Sequence, residues 1–138
     1  MASVRAARPQ DLAAVLQLWD HARSEHATTS DRPDDVERVI NDTPGALLVA
    51  ESEGEIIGAL IAAWDGWRGN MYRLAVRSDH RRKGIALQLV RAGEQYLRSR
   101  GARRVTALVA FDDDVAASFW EHAGYPRDHV IGRTVRDL

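Results

Sequence analysis

The stretch Leu74-Ala-Val-Arg-Ser-Asp-His-Arg-Arg-Lys-Gly-Ile-Ala86 decides how the rest of the chain is read. Met71 to Val76 reads as a strand with Leu74 and Val76 on one face, and a basic turn follows it. Gly84 to Arg100 reads as an amphipathic helix. Ile85, Leu89, Ala92 and Tyr96 form one stripe, Ala86, Val90, Gly93 and Leu97 lie beside it, and Gly101 is the stop. A helix N-terminus has unpaired amides and a partial positive charge, so cations there are disfavoured by roughly 0.3–1 kcal/mol each. Arg81, Arg82 and Lys83 place three at that end. Folding alone gives no reason for this arrangement. A bound polyphosphate does, since amides and cationic side chains would both face it and Gly84 admits close backbone approach. A solvated basic turn with Asp79 as its cap is the plainer alternative.

Working outward, Val4 sits in a short segment that suits an edge strand. Residues 9–26 read as a helix, with Pro9 at its start and Leu12, Val15, Leu16 and Trp19 at helical spacing. Residues 27–33 read as a loop, and Val36, Val39 and Ile40 mark a short second helix. Leu47 to Glu51 and Ile56 to Trp64 flank a glycine-containing hairpin loop, and Asp65 to Gly69 is a second turn. Beyond the central helix come a strand from Val105 to Phe111, a helix from Asp112 through Ala123 closed by Gly124, and a last strand from Val130 to Val135. The order is β-α-α-β-β-β-α-β-α-β. Two hairpins followed by a strand–helix–strand crossover predict an α/β (α+β) chain: a mixed central sheet of about six strands with helices on both faces.

The 138 residues suit one domain, 1–138, with enough apolar content (45%) for its own core. Without cysteine there is no disulfide framework and no thiol nucleophile. The five histidines lack paired ligand spacing, so no metal site is expected. The longest apolar run, Gly58 to Trp64, is far too short for a bilayer, and Met1 to Arg8 has no apolar signal region. A cytoplasmic protein without membrane partners is the expectation. The net charge of −1 conceals blocks of −7 (residues 1–67), +9 (68–104) and −3 (105–138). One basic block in a near-neutral chain points to a localised anion site. It argues against nucleic acid, as does the lack of an aromatic pattern interleaving the arginines.

Arg81-x-x-Gly84-x-Ala86, after Leu74-Ala75-Val76 and before an amphipathic helix, resembles the acetyl-CoA motif of the GNAT superfamily of N-acetyltransferases. Asp113-Val-Ala-Ala-Ser-Phe-Trp-Glu-His-Ala-Gly-Tyr125 is similar to that family's second signature. Ala50-Glu-x-x-Gly-x-Ile-Ile-Gly and Asp65-Gly-x-Arg-Gly resemble most the small bacterial YpeA-like, RimI-related members. The resemblance implies a GNAT fold and acetyl-CoA as donor, released as CoA. It implies that the amides from Arg82 to Ala86, Ile85 included, hold the pyrophosphate beside Arg81 and Lys83. It also implies that the backbone of Leu74, Ala75 and Val76 pairs with the pantetheine arm, and that the amide of Val76 or a neighbour polarises the thioester carbonyl. The strands ending at Val76 and Val109 would splay apart to admit the cofactor. Asp113, Ala116, Ala117 and Trp120 would belong to the same site.

The chain departs from the family at several positions. The family's frequent tyrosine acid is replaced by Trp120, whose indole donates a hydrogen bond but supplies no proton near neutral pH. A thiolate of pKa about 8.5 still leaves without full protonation. Trp120 reads equally as a packed aromatic. Asp113 replaces the usual Asn and reads first as a helix cap. RimI-like relatives often carry Glu or His mid-strand where Leu108 stands here. Tyr72, beside the thioester, and Asp65, in the turn, are the remaining candidates for the base that deprotonates the amine. Tyr72 also reads as cross-strand packing, Asp65 as a turn-former, and a water chain can replace either. His80 and His122 read as surface residues. Trp64, Trp67 and Tyr72 form either an acceptor wall or ordinary packing.

The expected activity is direct acetyl transfer from acetyl-CoA to a primary amine of a small molecule or peptide, without a covalent intermediate. The acidic residues in 20–42 would attract a cationic acceptor. The rival is a non-catalytic acyl-CoA sensor or interaction module; RNA binding through 68–104 ranks third. A homodimer is left open.

Overall fold

The computed structural model describes residues 2–22, 31–110 and 112–138. They fall into two compact units, residues 1–108 and 109–138, each treated by itself.

The first unit is a five-stranded sheet in sequence order. Its strands are β1 (Ser3–Ala6), β2 (Leu47–Ser52), β3 (Glu55–Trp64), β4 (Gly69–Val76) and β5 (Val105–Ala107). The first four pair antiparallel and β5 joins β4 in parallel, giving the mixed sheet expected from the hairpins and the crossover. Ser52 pairs with Glu55, so the first hairpin turns on Glu53 and Gly54 alone. Both take positive φ, +53° and +77°, as a twist-matched two-residue turn requires. β1 is an edge strand, as its place in the sequence suggested.

The helices α1 (Leu12–His21) and α2 (Pro33–Asp42) cover one face. Val15, Leu18 and Trp19 of α1 and Val36 and Ile40 of α2 bury themselves against Leu47, Val49, Ala59 and Ala75. Pro9–Asp11 forms a short 3-10 turn ahead of α1, where a continuous helix from residue 9 was expected. The cause is Asp11, which turns back to accept from Arg8 N at 2.7 Å and from Arg5 Nη1 and Nη2 at 2.7 and 3.1 Å. Residues 23–26 of the expected helix and 27–30 of the expected loop lie outside the described residues.

The helix α3 (Ile85–Arg100) covers the other face. Its buried line is Ile85, Leu89, Val90, Gly93 and Leu97, which straddles the two stripes of the sequence reading, while Tyr96 is half-buried at the edge. Gly93 sets how close α3 lies. A Cβ there would stand 2.8 Å from Met71 Cε and 3.2 Å from Leu60 Cδ2. Gly101 closes the helix in the left-handed region at φ +107°, as expected.

In the second unit, Asp113 caps α4 (Asp114–His122), its Oδ1 accepting from Ala116 N at 3.0 Å. The Trp120 ring meets Phe119 and Tyr125 edge-on, at centroid distances of 5.5 and 5.1 Å. The strand expected over 130–135 is not formed, so the sheet has five strands in place of about six. Asp128 Oδ1 accepts from Val130 N and Ile131 N, which takes two amides away from any ladder. The strand expected from Val105 to Phe111 ends at Ala107, and Phe111 lies outside the described residues.

Candidate functional site

β4 has an irregularity that shapes everything beyond it. Ala59 pairs with Ala75 but Ile61 pairs with Tyr72, so β4 carries one extra residue between these pairs. Arg73 lies within this bulge and takes φ +57°, a left-handed conformation that is uncommon outside glycine. The bulge reverses the alternation: Met71 reaches toward Gly93 of α3, whereas Ala75 joins the α1–α2 core. Contacts from distant segments hold it. Trp19 Nε1 donates to Arg73 O at 2.8 Å, and Arg73 Nη2 meets Asp31 Oδ1 at 2.8 Å.

Beyond the bulge β4 has a strand on one side only. Its pairing with β5 covers Gly69–Met71 against Val105–Ala107 and goes no further. Arg77 N donates to Ile57 O at 2.8 Å, facing β3. By the alternation of an extended chain, Leu74 and Val76 turn their backbone groups the other way. Among the described strands none pairs with that edge. A hydrogen-bonding edge of this kind accepts an extended amide chain as an added strand.

The turn from β4 into α3 follows directly. Ser78–His80 forms a 3-10 turn, and Arg82 and Gly84 take φ +64° and +77°. Gln88 N donates to Gly84 O at 3.0 Å, the first bond of α3, and Gly84 has no side chain to satisfy the preceding amides. The amides of Ile85, Ala86 and Leu87 therefore start the helix without a side-chain cap. Asp79, the cap of the plainer sequence reading, is bound elsewhere: its carboxylate holds Arg77 Nε and Nη2 at 3.0 and 2.7 Å. Arg77 also reaches Glu55 at 3.0 Å. The Arg77 guanidinium holds the Asp79 carboxyl below the usual carboxylate range. Arg81, Arg82 and Lys83 are exposed and form no ion pair with a described residue. A Cβ built on Gly84 meets nothing within 4 Å, so the space before the amides is open. Uncapped amides, three free cations and open space suit a diphosphate, so the residues present fit the phosphate group of a nucleotide-type cofactor.

The catalytic candidates differ in their surroundings. Asp65 is a turn residue. Its Oδ1 accepts from Trp67 N at 2.8 Å and Arg68 N at 2.7 Å. Those two bonds, from Arg68 first and Trp67 second, hold its carboxyl below the usual range, which weakens it as a base. Tyr72 is half-buried and stands opposite Ile61, which packs against the α1–α2 core, so it lies on that face next to the bulge. Trp64 stands opposite Gly69, whose Cβ would point at Leu97 of α3, so it lies on the other face. The acceptor wall of Trp64, Trp67 and Tyr72 is therefore not assembled, because strand parity separates Trp64 from Tyr72. Leu108 is exposed, its amide 3.5 Å from Met71 O. His80 is half-buried beside Asp79 rather than fully at the surface; His122 is exposed, its Nδ1 2.8 Å from Ser118 O. Asp113, Ala117 and Trp120 lie on or cap α4 in the second unit. The signal that sequence reasoning missed is the bulge at Arg73, since no glycine or proline marks it.

The sequence model of the Acetyltransferase (GNAT) family matches residues 12–125. An acetyltransferase of Sodalis glossinidius is 35% identical over 130 residues, covering 93% of this chain and 90% of that protein. One of Pectobacterium atrosepticum is 36% identical over 123 residues, covering 88% and 86%. Among solved structures, the aminoglycoside 6'-N-acetyltransferase AAC(6')-Ih of Acinetobacter baumannii superposes with a TM-score of 0.79 at 15% identity, covering 100% of this chain and 99% of that one. AAC(6')-Iy, solved with a bisubstrate analogue of CoA and acetylneamine, gives 0.78 at 17% identity and 99% of each chain. These two likenesses are of fold.

Proposed function

The chain belongs to the Acetyltransferase (GNAT) family, and from that premise we propose that it moves an acetyl group from acetyl-CoA directly to a primary amine of a small molecule or peptide. The observation that carries the proposal is the join of β4 to α3: a strand edge at Leu74–Val76 running into an uncapped helix start flanked by Arg81, Arg82 and Lys83.

Acetyl-CoA supplies an activated acetyl thioester. The amides from Arg82 to Ala86 would hold its diphosphate, with Arg81 and Lys83 as cationic partners. The backbone of Leu74, Ala75 and Val76 would hold its pantetheine arm as a strand neighbour. The Val76 amide would donate to the carbonyl oxygen as charge builds there. Positioning the two reactants accounts for most of the remaining rate. For Asp113, Ala117 and Trp120 the support is the resemblance of 113–125 to the second signature alone.

The acceptor amine must be neutral to attack, against a pKa of about 10.4 for a lysine-type amine. Tyr72 suits this better than Asp65, whose carboxylate is committed to the turn. Its hydroxyl would accept a hydrogen bond from the amine and pass a proton on to water. The acidic face of α2, with Asp34 and Asp35 in its first turn, favours cationic acceptors. No helix among the described residues is long and apolar enough to cross a membrane; a cytoplasmic location is part of the proposal.

The test is thiol release from acetyl-CoA with a panel of an α-amine, a lysine peptide, a polyamine and an aminoglycoside. Turnover with a cationic amine is expected. Tight acetyl-CoA binding with no turnover across the panel would replace the enzyme by an acyl-CoA sensor.

A further inference from the structure

The phosphate loop takes three of the eleven cations in the basic block. A second group lies at the opposite end of β4. Gly69 N approaches Arg104 O at 3.4 Å, Gly69 pairs with Val105, and a Cβ on Gly69 would touch Leu97 at 2.9 Å. These contacts gather the β3–β4 turn, the last turn of α3 and the loop 101–104 at one end. They bring Arg68, Arg98, Arg100, Arg103 and Arg104 to that end, all exposed and none in an ion pair with a described residue. Arg98 and Arg100 suit the negative end of the α3 dipole; that does not account for Arg68, Arg103 or Arg104. The acid in the same turn, Asp65, is bound by the Trp67 and Arg68 amides. The Trp67 side chain stands out from the turn, and the residue is 74% exposed. The Arg68 guanidinium lies 4.3 Å from its ring centroid, covering one face and leaving the other open.

We propose that this end of the molecule binds single-stranded RNA, a base stacking on the open face of Trp67 and the phosphates following Arg68, Arg100, Arg103 and Arg104. Cations along a backbone path beside an exposed ring are what sequence-tolerant single-strand binding needs. An acidic peptide would use the arginines but gives no reason to expose an indole. The near-neutral whole chain and the lack of aromatics interleaving the arginines of 68–104 argue against nucleic acid in the sequence; Trp67 stands one residue outside that block and supplies the ring. The site is separate from the phosphate loop, so RNA and acetyl-CoA bind together.

The test uses the full chain with a fluorescently labelled twelve-residue oligouridylate, read by anisotropy and by quenching of indole emission. Binding that weakens with salt, at a log–log slope of about −3 for four phosphates, is expected. Arg103→Glu with Arg104→Glu weakens it at least tenfold. Trp67→Ala weakens it and removes most of the quenching. All three positions are exposed, so near-native circular dichroism is expected; Arg68→Ala is the substitute if the double variant unfolds. Saturating acetyl-CoA leaves binding unchanged. No binding at 100 micromolar protein, or binding indifferent to all these variants, overturns the proposal. Displacement by acetyl-CoA, or loss in Arg81→Ala with Arg82→Ala, assigns the RNA to the phosphate loop instead. Preference for polyglutamate over the oligouridylate makes the surface a protein-docking one. None of these readouts depends on acetyl transfer.

Discussion

Trp19 Nε1 on α1 donates to the carbonyl oxygen of Arg73, 54 residues away, at 2.8 Å. The bond ties α1 to the bulge that turns Leu74–Val76 toward the open edge. Trp19 is almost wholly buried and the bond is partly so, and removing the donor takes this partner from the Arg73 carbonyl. Trp19→Phe keeps the ring and loses the N–H. It is expected to lower stability by about 1–3 kcal/mol in urea unfolding. It also lowers kcat by more than a stability loss explains at temperatures where the variant is fully folded, because the Val76 amide drifts. An unchanged kcat would make Trp19 a core residue and nothing more.

Gly84 separates binding from folding. Its φ of +77° costs a residue with a Cβ about 1–2 kcal/mol, yet a Cβ meets nothing within 4 Å. Gly84→Val should therefore fold, with a modest drop in melting temperature, while calorimetry finds acetyl-CoA affinity lost. Retained affinity would count against the phosphate site.

How far the sequence carried the fold follows from which signals are local. The hairpin at Glu53-Gly54, the stop at Gly101 and the cap at Asp113 are each written in residues whose conformational preferences suit the position. The uncapped basic turn before α3 was legible for the same reason: cations ahead of a helix start conflict with its dipole, so they mark the position in the sequence. The bulge was not, because Tyr72-Arg73-Leu74 carries no breaker and the contacts that hold it, from Trp19 and Asp31, come from distant segments. Tertiary register likewise decides that Trp64 and Tyr72 part company, which periodicity within either strand does not show. The expected strand at 130–135 failed because alternation of apolar residues says nothing about whether a neighbouring edge exists.

Asp11 should set part of the acid stability of the protein. It is 7% exposed, accepts from Arg5 twice and from Arg8 N, and its carboxyl is held below the ordinary range by Arg5 above all. A carboxyl whose folded pKa lies below its unfolded value, about 3.9, binds fewer protons folded than unfolded. Its contribution is complete above that value and is lost as pH falls through it toward the folded pKa. Asp11→Asn should cost about 1–3 kcal/mol at pH 7. The gap to the wild type should close between about pH 4 and the onset of acid unfolding. A constant gap across that window would show that the carboxylate charge is not the source.

Tyr72 and Asp65 make opposite predictions about the proton. Asp65→Asn keeps an oxygen to accept from the Trp67 and Arg68 amides, so the turn should survive and kcat should stay within about twofold, an effect below 0.5 kcal/mol. Tyr72→Phe keeps the ring opposite Ile61 but removes the hydroxyl. It should lower kcat about tenfold or more, in the range of one positioned proton-transfer group, with the KM for acetyl-CoA unchanged. Raising the pH toward the pKa of the acceptor amine should narrow the deficit, since a larger share of the amine is then already neutral. The pH–rate profiles of the two variants, measured with one acceptor, decide between them: a deficit confined to Asp65→Asn would move the base to the turn, and no deficit in either would leave water as the proton's destination.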